Sequence, residues 1–196
     1  MKWTVTTPPS GTVIDPTTLP YWLRIDPDIA ATSEETAMLS ELLSTATEYA
    51  EVQMQASLLT RTITAVYYQN DGNDAVYGYR WDGPSVTLPR GPVIAVSSVT
   101  NGSNSADITS GCTLQRDGNT DLLVLPSGWQ EPLTVVYTAG YGTGYTAVDP
   151  DIRQAIRAHV ATMYENRESV QDKPLSVVPH SLEAFYQRKC RTGVAG

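Results

Sequence analysis

The chain has 196 residues, 41% of them hydrophobic, which suits one domain or one domain with an insertion and is enough apolar material for a core. Its 21 acidic and 13 basic side chains leave a formal charge of −8, and an acidic body argues against a nucleic-acid-binding surface, because phosphate contacts need Lys and Arg. No apolar run approaches the roughly 18 residues of a membrane span, and the start, Met1-Lys2-Trp3-Thr4-Val5, lacks the apolar stretch of a signal peptide, so the protein is expected to be intracellular when made.

The first 20 residues carry four prolines, Pro8, Pro9, Pro16 and Pro20. Proline lacks an N–H and restricts its predecessor, so residues 1–31 are expected as an extended arm, with a short helix at most near Thr17 to Ile25. The first strong helix is predicted over residues 32–55. Thr32 with Glu35 makes a capping box, and Glu34 and Glu35 suit the positive helix start. Met38, Leu39, Leu42, Leu43, Ala46, Tyr49 and Ala50 share one face at helical spacing, with Ser40, Glu41, Thr45, Glu48 and Glu51 on the other.

A β-rich region is predicted over residues 61–139. Arg61 to Tyr68 is rich in β-branched and aromatic residues, and Asn70-Asp71-Gly72 breaks it. Val86 to Leu88 and Val93 to Val99 flank Pro89-Arg90-Gly91-Pro92, and Asn101-Gly102 signals a turn. Cys112 to Arg116 and Leu122 to Leu125 read as a hairpin around Asp117-Gly118-Asn119-Thr120. Pro132 to Thr138 is the last strand.

Asp149 is expected to cap a helix over residues 149–167 with Pro150 at its first position. Ile152, Ala155, Ile156, His159, Val160, Met163 and Tyr164 form its apolar face. A final helix over residues 181–190 places Leu182, Phe185 and Tyr186 on one side, and residues 191–196 form a tail. The charge is uneven along this order: residues 1–60 hold two basic and eight acidic side chains, 61–149 four and eight, and 150–196 seven and five, with Arg188, Lys189 and Arg191 making the end mildly basic.

Several motifs suggest chemistry and do not carry it. Gly142 to Ala147 fits G-x-G-x-x-A, but Ala147 precedes the helix cap and no second strand with an acidic end follows, so a loop is the better account and no cofactor is expected. Asp117, Asn119 and Asp121 start like a calcium loop, but the sixth position is Leu122 and the twelfth is Gly128, which leaves a hairpin turn. Asn101-Gly102-Ser103 is a turn, not a glycosylation site, in a chain without a secretion signal. No serine sits in G-x-S-x-G, and carboxylate pairs such as Asp26/Asp28 read as loop or helix-start charges. Cys112 and Cys190 are too few for a disulfide framework and have no C-x-x-C; buried or partly buried thiols are expected. His159 and His180 stand 21 residues apart without a zinc-site pattern, and His159 reads as a core or interface residue. No metal site and no catalytic residue is expected, so the chain is not read as an enzyme.

Five strings in the right order resemble the head-tail connector (adaptor, or head-completion) proteins of tailed bacteriophages. They are Leu23-Arg24-Ile25, Ala46 to Glu51, Leu88-Pro89-Arg90-Gly91-Pro92-Val93 with Val96 to Val99, Val135-Val136-Tyr137-Thr138-Ala139-Gly140-Tyr141, and Tyr164-Glu165-Asn166-Arg167-Glu168. Together they span most of residues 14–190.

The resemblance implies an α+β subunit, a helical bundle body with an antiparallel β-rich insertion, assembling as a ring of twelve. On this reading residues 32–190 form one connector domain. The ring would sit in the neck of the virion, join the portal to a stopper or tail-completion protein, and line the channel through which DNA passes without specific binding and with no membrane contact. The protein would be made in the host cytoplasm. An acidic lumen would repel the phosphate backbone.

Leu182, Phe185 and Tyr186, followed by Arg188, Lys189 and Arg191, suit a helix docking on a partner, which the resemblance makes the portal; packing on its own domain is the other reading. The aromatic excursion from Asn70 to Pro84, with Tyr77, Tyr79 and Trp81, reads equally as a neck or neighbour contact loop and as an ordinary hairpin excursion. A stopper or tail-completion protein is the alternative, and low helix content would favour it. A small enzyme is less favoured, because few titratable groups are placed to converge.

Overall fold

The structure, a computed structural model, describes residues 1–68, 85–166 and 180–191, and the backbone of residues 81–82. It is an α+β fold with two hydrophobic cores, one helical and one between two sheets.

Three helices meet around the helical core. The longest, α3 (Ser33–Met54), follows two single turns, α1 (Leu19–Trp22) and α2 (Pro27–Ala30). Leu39, Leu43, Ala46, Ala50 and Met54 recur at helical spacing and are its buried stripe. Thr32 caps it by accepting from the Glu35 N–H at 3.3 Å. Only half of the expected capping box forms, because the Glu35 carboxylate accepts instead from the Tyr164 hydroxyl at 2.6 Å. The second helix, α4 (Pro150–Glu165), buries Ile152, Ala155, Ile156, His159 and Val160; Asp149 holds the cap position, but its side chain makes no cap hydrogen bond. The third, α5 (His180–Arg188), buries Tyr186. No helix among the described residues is long and apolar enough to cross a membrane.

The strands are β1 (Lys2–Thr7), β2 (Arg61–Tyr67), β3 (Trp81–Asp82), β4 (Ser85–Thr87), β5 (Val93–Asn101), β6 (Ala106–Asp107), β7 (Thr113–Asp117), β8 (Thr120–Val124) and β9 (Leu133–Ala139). They form an antiparallel five-stranded sheet in the order β1-β2-β9-β5-β6 and an antiparallel four-stranded sheet in the order β3-β4-β8-β7. Alternation sets the faces: Ile63, Ala65 and Tyr67 point inward from β2, and Leu133, Val135, Tyr137 and Ala139 from β9. These residues share one core with Val86 and Leu123 of the smaller sheet and with Leu88 and Leu125 just beyond its strands. Burying a side chain such as Ile63 or Leu133 contributes about 1.5–3 kcal/mol, and both are fully buried.

The first 31 residues are not a free arm. Their start pairs with β2 as an edge strand, from Lys2 opposite Val66 to Thr7 opposite Thr62. Val13, Ile14 and Leu19 then enter the helical core. The β-region is therefore not a simple insertion, since its sheet also takes in the N-terminus.

Candidate functional site

Two strings singled out by sequence, Leu88 to Val93 and Val135 to Tyr141, meet where the cores join. The main chain of Gly91 accepts from the Ser57 N–H, and that of Pro92 from the Gly140 N–H, both at 2.9 Å. The Tyr137 hydroxyl donates to the Pro89 carbonyl at 2.6 Å. Tyr141 N–H reaches the Leu58 carbonyl, and the Gly142 carbonyl accepts from Thr60 N–H. The chain after α3 is thus stitched to both strings.

Gly140 is required at this crossing. Its φ is +137°, and an added Cβ would lie 2.6 Å from the backbone carbon of Leu59 and the nitrogen of Thr60. Beyond it, Gly142 packs on Ala147, which fills the space of the G-x-G-x-x-A loop, and α4 starts only at Pro150.

Two buried carboxylates organise the junction. Glu51 accepts from the Leu58 N–H at 2.9 Å and from Arg61 Nη2 at 2.5 Å, while Arg90 Nη1 donates to the Glu51 carbonyl at 2.7 Å. Burial pushes the Glu51 carboxyl above its ordinary value; Arg61, the Leu58 N–H and Arg90 pull it back. Arg90 also lies over the Trp3 ring at 5.1 Å, which ties the N-terminal strand to the same point.

Asp121 is the second hub. It accepts from Arg116 Nε at 2.8 Å, the Val93 N–H at 2.9 Å and Arg191 Nη2 at 3.2 Å. Gly91 leaves the room for this, because a Cβ there would collide with the Asp121 carboxylate and come within 3.0 Å of Arg191 Nε.

The predicted C-terminal contact residues are mostly engaged within the chain. Tyr186 is fully buried, and Leu182 and Phe185 pack partly buried against the same core. Lys189 pairs with Asp151 at 2.6 Å, and that bond is the main reason the Asp151 carboxyl is held low and the Lys189 amine high. Arg191 closes onto Asp121, and its main-chain N–H donates to the Met54 carbonyl at 2.9 Å. Arg188 remains exposed on the last turn of α5. Tyr77 and Tyr79 lie outside the described residues; Trp81 pairs through its backbone with Val86, and its side chain lies outside them too.

Sequence reasoning missed the role of three features. Asp121 stands only in a rejected calcium-loop pattern and Glu51 on the polar face of its helix, yet both are buried; their only signal is an acid within otherwise apolar or β-branched surroundings. The third is a groove of about 650 Å³ between the first short helices and α3, lined by the exposed Tyr21, while its exposed neighbour Trp22 lies under Arg157. Two adjacent aromatics in a proline-flanked stretch were its signal. Among the described residues, no group of three or more His, Cys, Asp or Glu side chains is arranged to hold a metal ion.

No protein-family model matches the chain, and no curated protein matches it. Solved structures do. A chain from the neck of an empty gene transfer agent (GTA) particle, computed with C6 symmetry, superposes with a TM-score of 0.74 at 22% identity, covering 100% of this chain and 98% of that one. A chain from the virion of the native GTA particle gives 0.72 at 22% identity, covering 100% and 98%. One from the neck of the native particle, computed with C12 symmetry, gives 0.63 at 20% identity, covering 100% and 99%. From end to end, this chain has the fold of proteins found in those phage-like particles.

Proposed function

We propose that the chain is a structural subunit of the neck of a tailed phage or phage-like particle, a head-tail connector that assembles as a ring between the portal and the next neck component. The observation that carries this is the mutual full-length coverage, 100% of this chain and 98–99% of its neighbours, with two of the three neighbours in neck assemblies of C6 and C12 symmetry. A shared module inside a larger enzyme would leave much of the longer chain uncovered. The five strings that resemble connector proteins support the same reading, and the three-helix core favours a connector over a β-barrel-like stopper.

A rigid build suits this role. Both cores are cross-braced at Glu51 and Asp121, so a force applied to one is passed to the other through charge-assisted hydrogen bonds. The exposed side of α3 carries Glu34, Glu41 and Glu48 at seven-residue intervals and no basic residue anywhere in the helix. Repeated around a symmetry axis, that stripe would make a negative surface that DNA passes without sticking. Among the described residues it is the surface we assign to the lumen.

The test is electron microscopy and native mass spectrometry of the purified chain with and without its portal. Rings of about twelve copies that dock coaxially on the portal are expected, by the closed cyclic symmetry such assemblies adopt. A chain that neither oligomerises nor binds the portal would sink the proposal. For the portal contact of α5, deletion from Ser181 would remove core residue Tyr186 and test folding instead. Arg188→Glu leaves the core intact and should weaken portal binding; full binding by that variant removes Arg188 from the contact.

A further inference from the structure

Each sheet has two edges. The five-stranded sheet ends in β1 and β6, and the four-stranded sheet in β3 and β7. Among the described residues, strands β3 and β6 are two residues long, too short to template another strand, whereas β1 has six residues and β7 five. Among the described residues, β1 bonds only to β2 through its backbone and β7 only to β8. Lys2, Thr4, Val5 and Thr6 are exposed, as are Thr113, Gln115, Arg116 and Asp117. Neither strand contains a proline. Two long open edges on one subunit, on different sheets, are the unequal pair of patches that a head-to-tail ring contact needs.

The two edges also match residue by residue. Run antiparallel with Lys2 opposite Asp117, they set Trp3 opposite Arg116, Thr4 opposite Gln115 and Val5 opposite Leu114. Each pairing is favourable: opposite charges, a cation on an aromatic, two polar groups, two apolar groups. The faces agree as well. Trp3 and Val5 stand opposite Ala65 and Ile63 of β2, on the core side of their sheet. Arg116 and Leu114 stand opposite Asp121 and Leu123 of β8, on the core side of theirs. A one-residue slip would turn one strand's core side outward. A parallel arrangement sets Lys2 against Thr113 and loses the charge pair. Pairing β1 with a second β1 offers no acid, since Lys2 is its one charged residue.

We propose that β1 of one copy adds antiparallel to β7 of the next, with Lys2 opposite Asp117, so that the sheets of neighbouring subunits run on continuously around the ring. This names the contact between subunits and rests on the ring-forming reading of the protein.

The test is charge reversal read by native mass spectrometry and sedimentation across a concentration series. Lys2→Asp and Asp117→Lys lie at exposed positions, and circular dichroism should show each variant folded. Each alone should raise the concentration for half-assembly on the order of two- to tenfold, the range for turning a cross-strand ion pair into a like-charge pair. The double variant, which restores opposite charges in swapped positions, should return close to wild type. If the wild-type chain forms rings and the single reversals leave assembly unchanged, or the double variant is no better than the singles, the strand pairing is wrong while the ring reading stands. A wild-type chain that stops at a dimer also overturns the pairing, because a head-to-tail contact does not stop at two. One that stays monomeric at its highest soluble concentration overturns the pairing and the self-assembling ring together.

Discussion

In the β core, Tyr67 and Tyr137 are buried and both hydroxyls donate to carbonyls of the facing segment, at Thr87 and Pro89. In the helical core, the Tyr186 hydroxyl and His159 Nδ1 are buried with no hydrogen-bond partner among the described residues. There the rings meet edge to face instead: Tyr49 stands 5.2 Å from His159 and 6.1 Å from Tyr186. The buried aromatics of one core are fixed by directional bonds and those of the other by shape, the helices there being tied at the rim by Tyr164 to Glu35 and Lys189 to Asp151. Directional bonds specify a single register, while ring packing tolerates small slides, so the helical side is the part of the subunit better able to adjust to a neighbour.

The comparison holds only while the junction keeps the two cores as one cooperative unit, and Gly140→Ala is the strongest way to break it. The new Cβ would meet backbone rather than a flexible side chain, at a φ of +137° that L residues rarely adopt. A loss of about 4 kcal/mol, or roughly 8–16 °C in Tm, is expected. Calorimetry should then show whether the cores separate. Two transitions, with the helical one lower, would place the coupling at this crossing. An unchanged Tm would mean that Leu59 and Thr60 move aside easily and that the junction is looser than its hydrogen bonds imply.

Asp121→Ala probes the bracing more narrowly. It removes the shared carboxylate partner of the largely buried Arg191, the half-exposed Arg116 and the Val93 N–H at once, leaving Arg116 only its bond to the Val93 carbonyl. Breaking a buried ion pair from one side costs about 3 kcal/mol, roughly 6–12 °C in Tm here. Because Arg191 joins the end of α5 to the β core, amide exchange should rise in α5 before it rises in α3. Equal protection in both helices would show that the core contacts of Leu182, Phe185 and Tyr186 and the Lys189–Asp151 pair seat α5 without Arg191.

Much of this architecture was legible in the sequence, and the parts that were not share a cause. The spacing of Leu39, Leu43, Ala46 and Ala50 and of Ile152, Ile156 and Val160 reports helices directly, because each helix buries one stripe. The hairpin around Gly118-Asn119 follows from its turn residues. The strand Lys2–Thr7 has suitable β-branched residues, but the prolines after it make the whole stretch read as an arm. Its pairing with Val66 to Thr62 spans some 60 residues of chain and leaves no local mark. The same holds for Arg191, which reads as part of a solvated basic tail until the fold brings Asp121 beside it. Local periodicity shows which elements form; which polar groups they bury together is decided by the tertiary fold.

The smallest expected effect sharpens the contrast between the cores. Burial holds the His159 imidazole below its ordinary value of 6.5, so it stays neutral in the folded chain where an unfolded chain would take up a proton. The rings facing it, Tyr49 and Tyr186, offer no negative charge to hold that proton. Above the unfolded value both states are neutral and His159 carries no penalty. As pH falls through 6.5 the unfolded state binds the proton first, and stability declines until the folded-state value is reached. Glu51 acts with the opposite sign. Its folded value is raised above 4.5, so the folded state takes up a proton first and gains stability as pH falls toward 4.5. Urea unfolding from pH 7 to 5 should therefore show stability falling in the wild type. In His159→Phe, which keeps the aromatic packing, that decline should vanish or turn into a slight rise from Glu51. If the variant declines as steeply as the wild type, the acid sensitivity lies outside the helical core, and the shape-packed side is no more vulnerable to protonation than the hydrogen-bonded one.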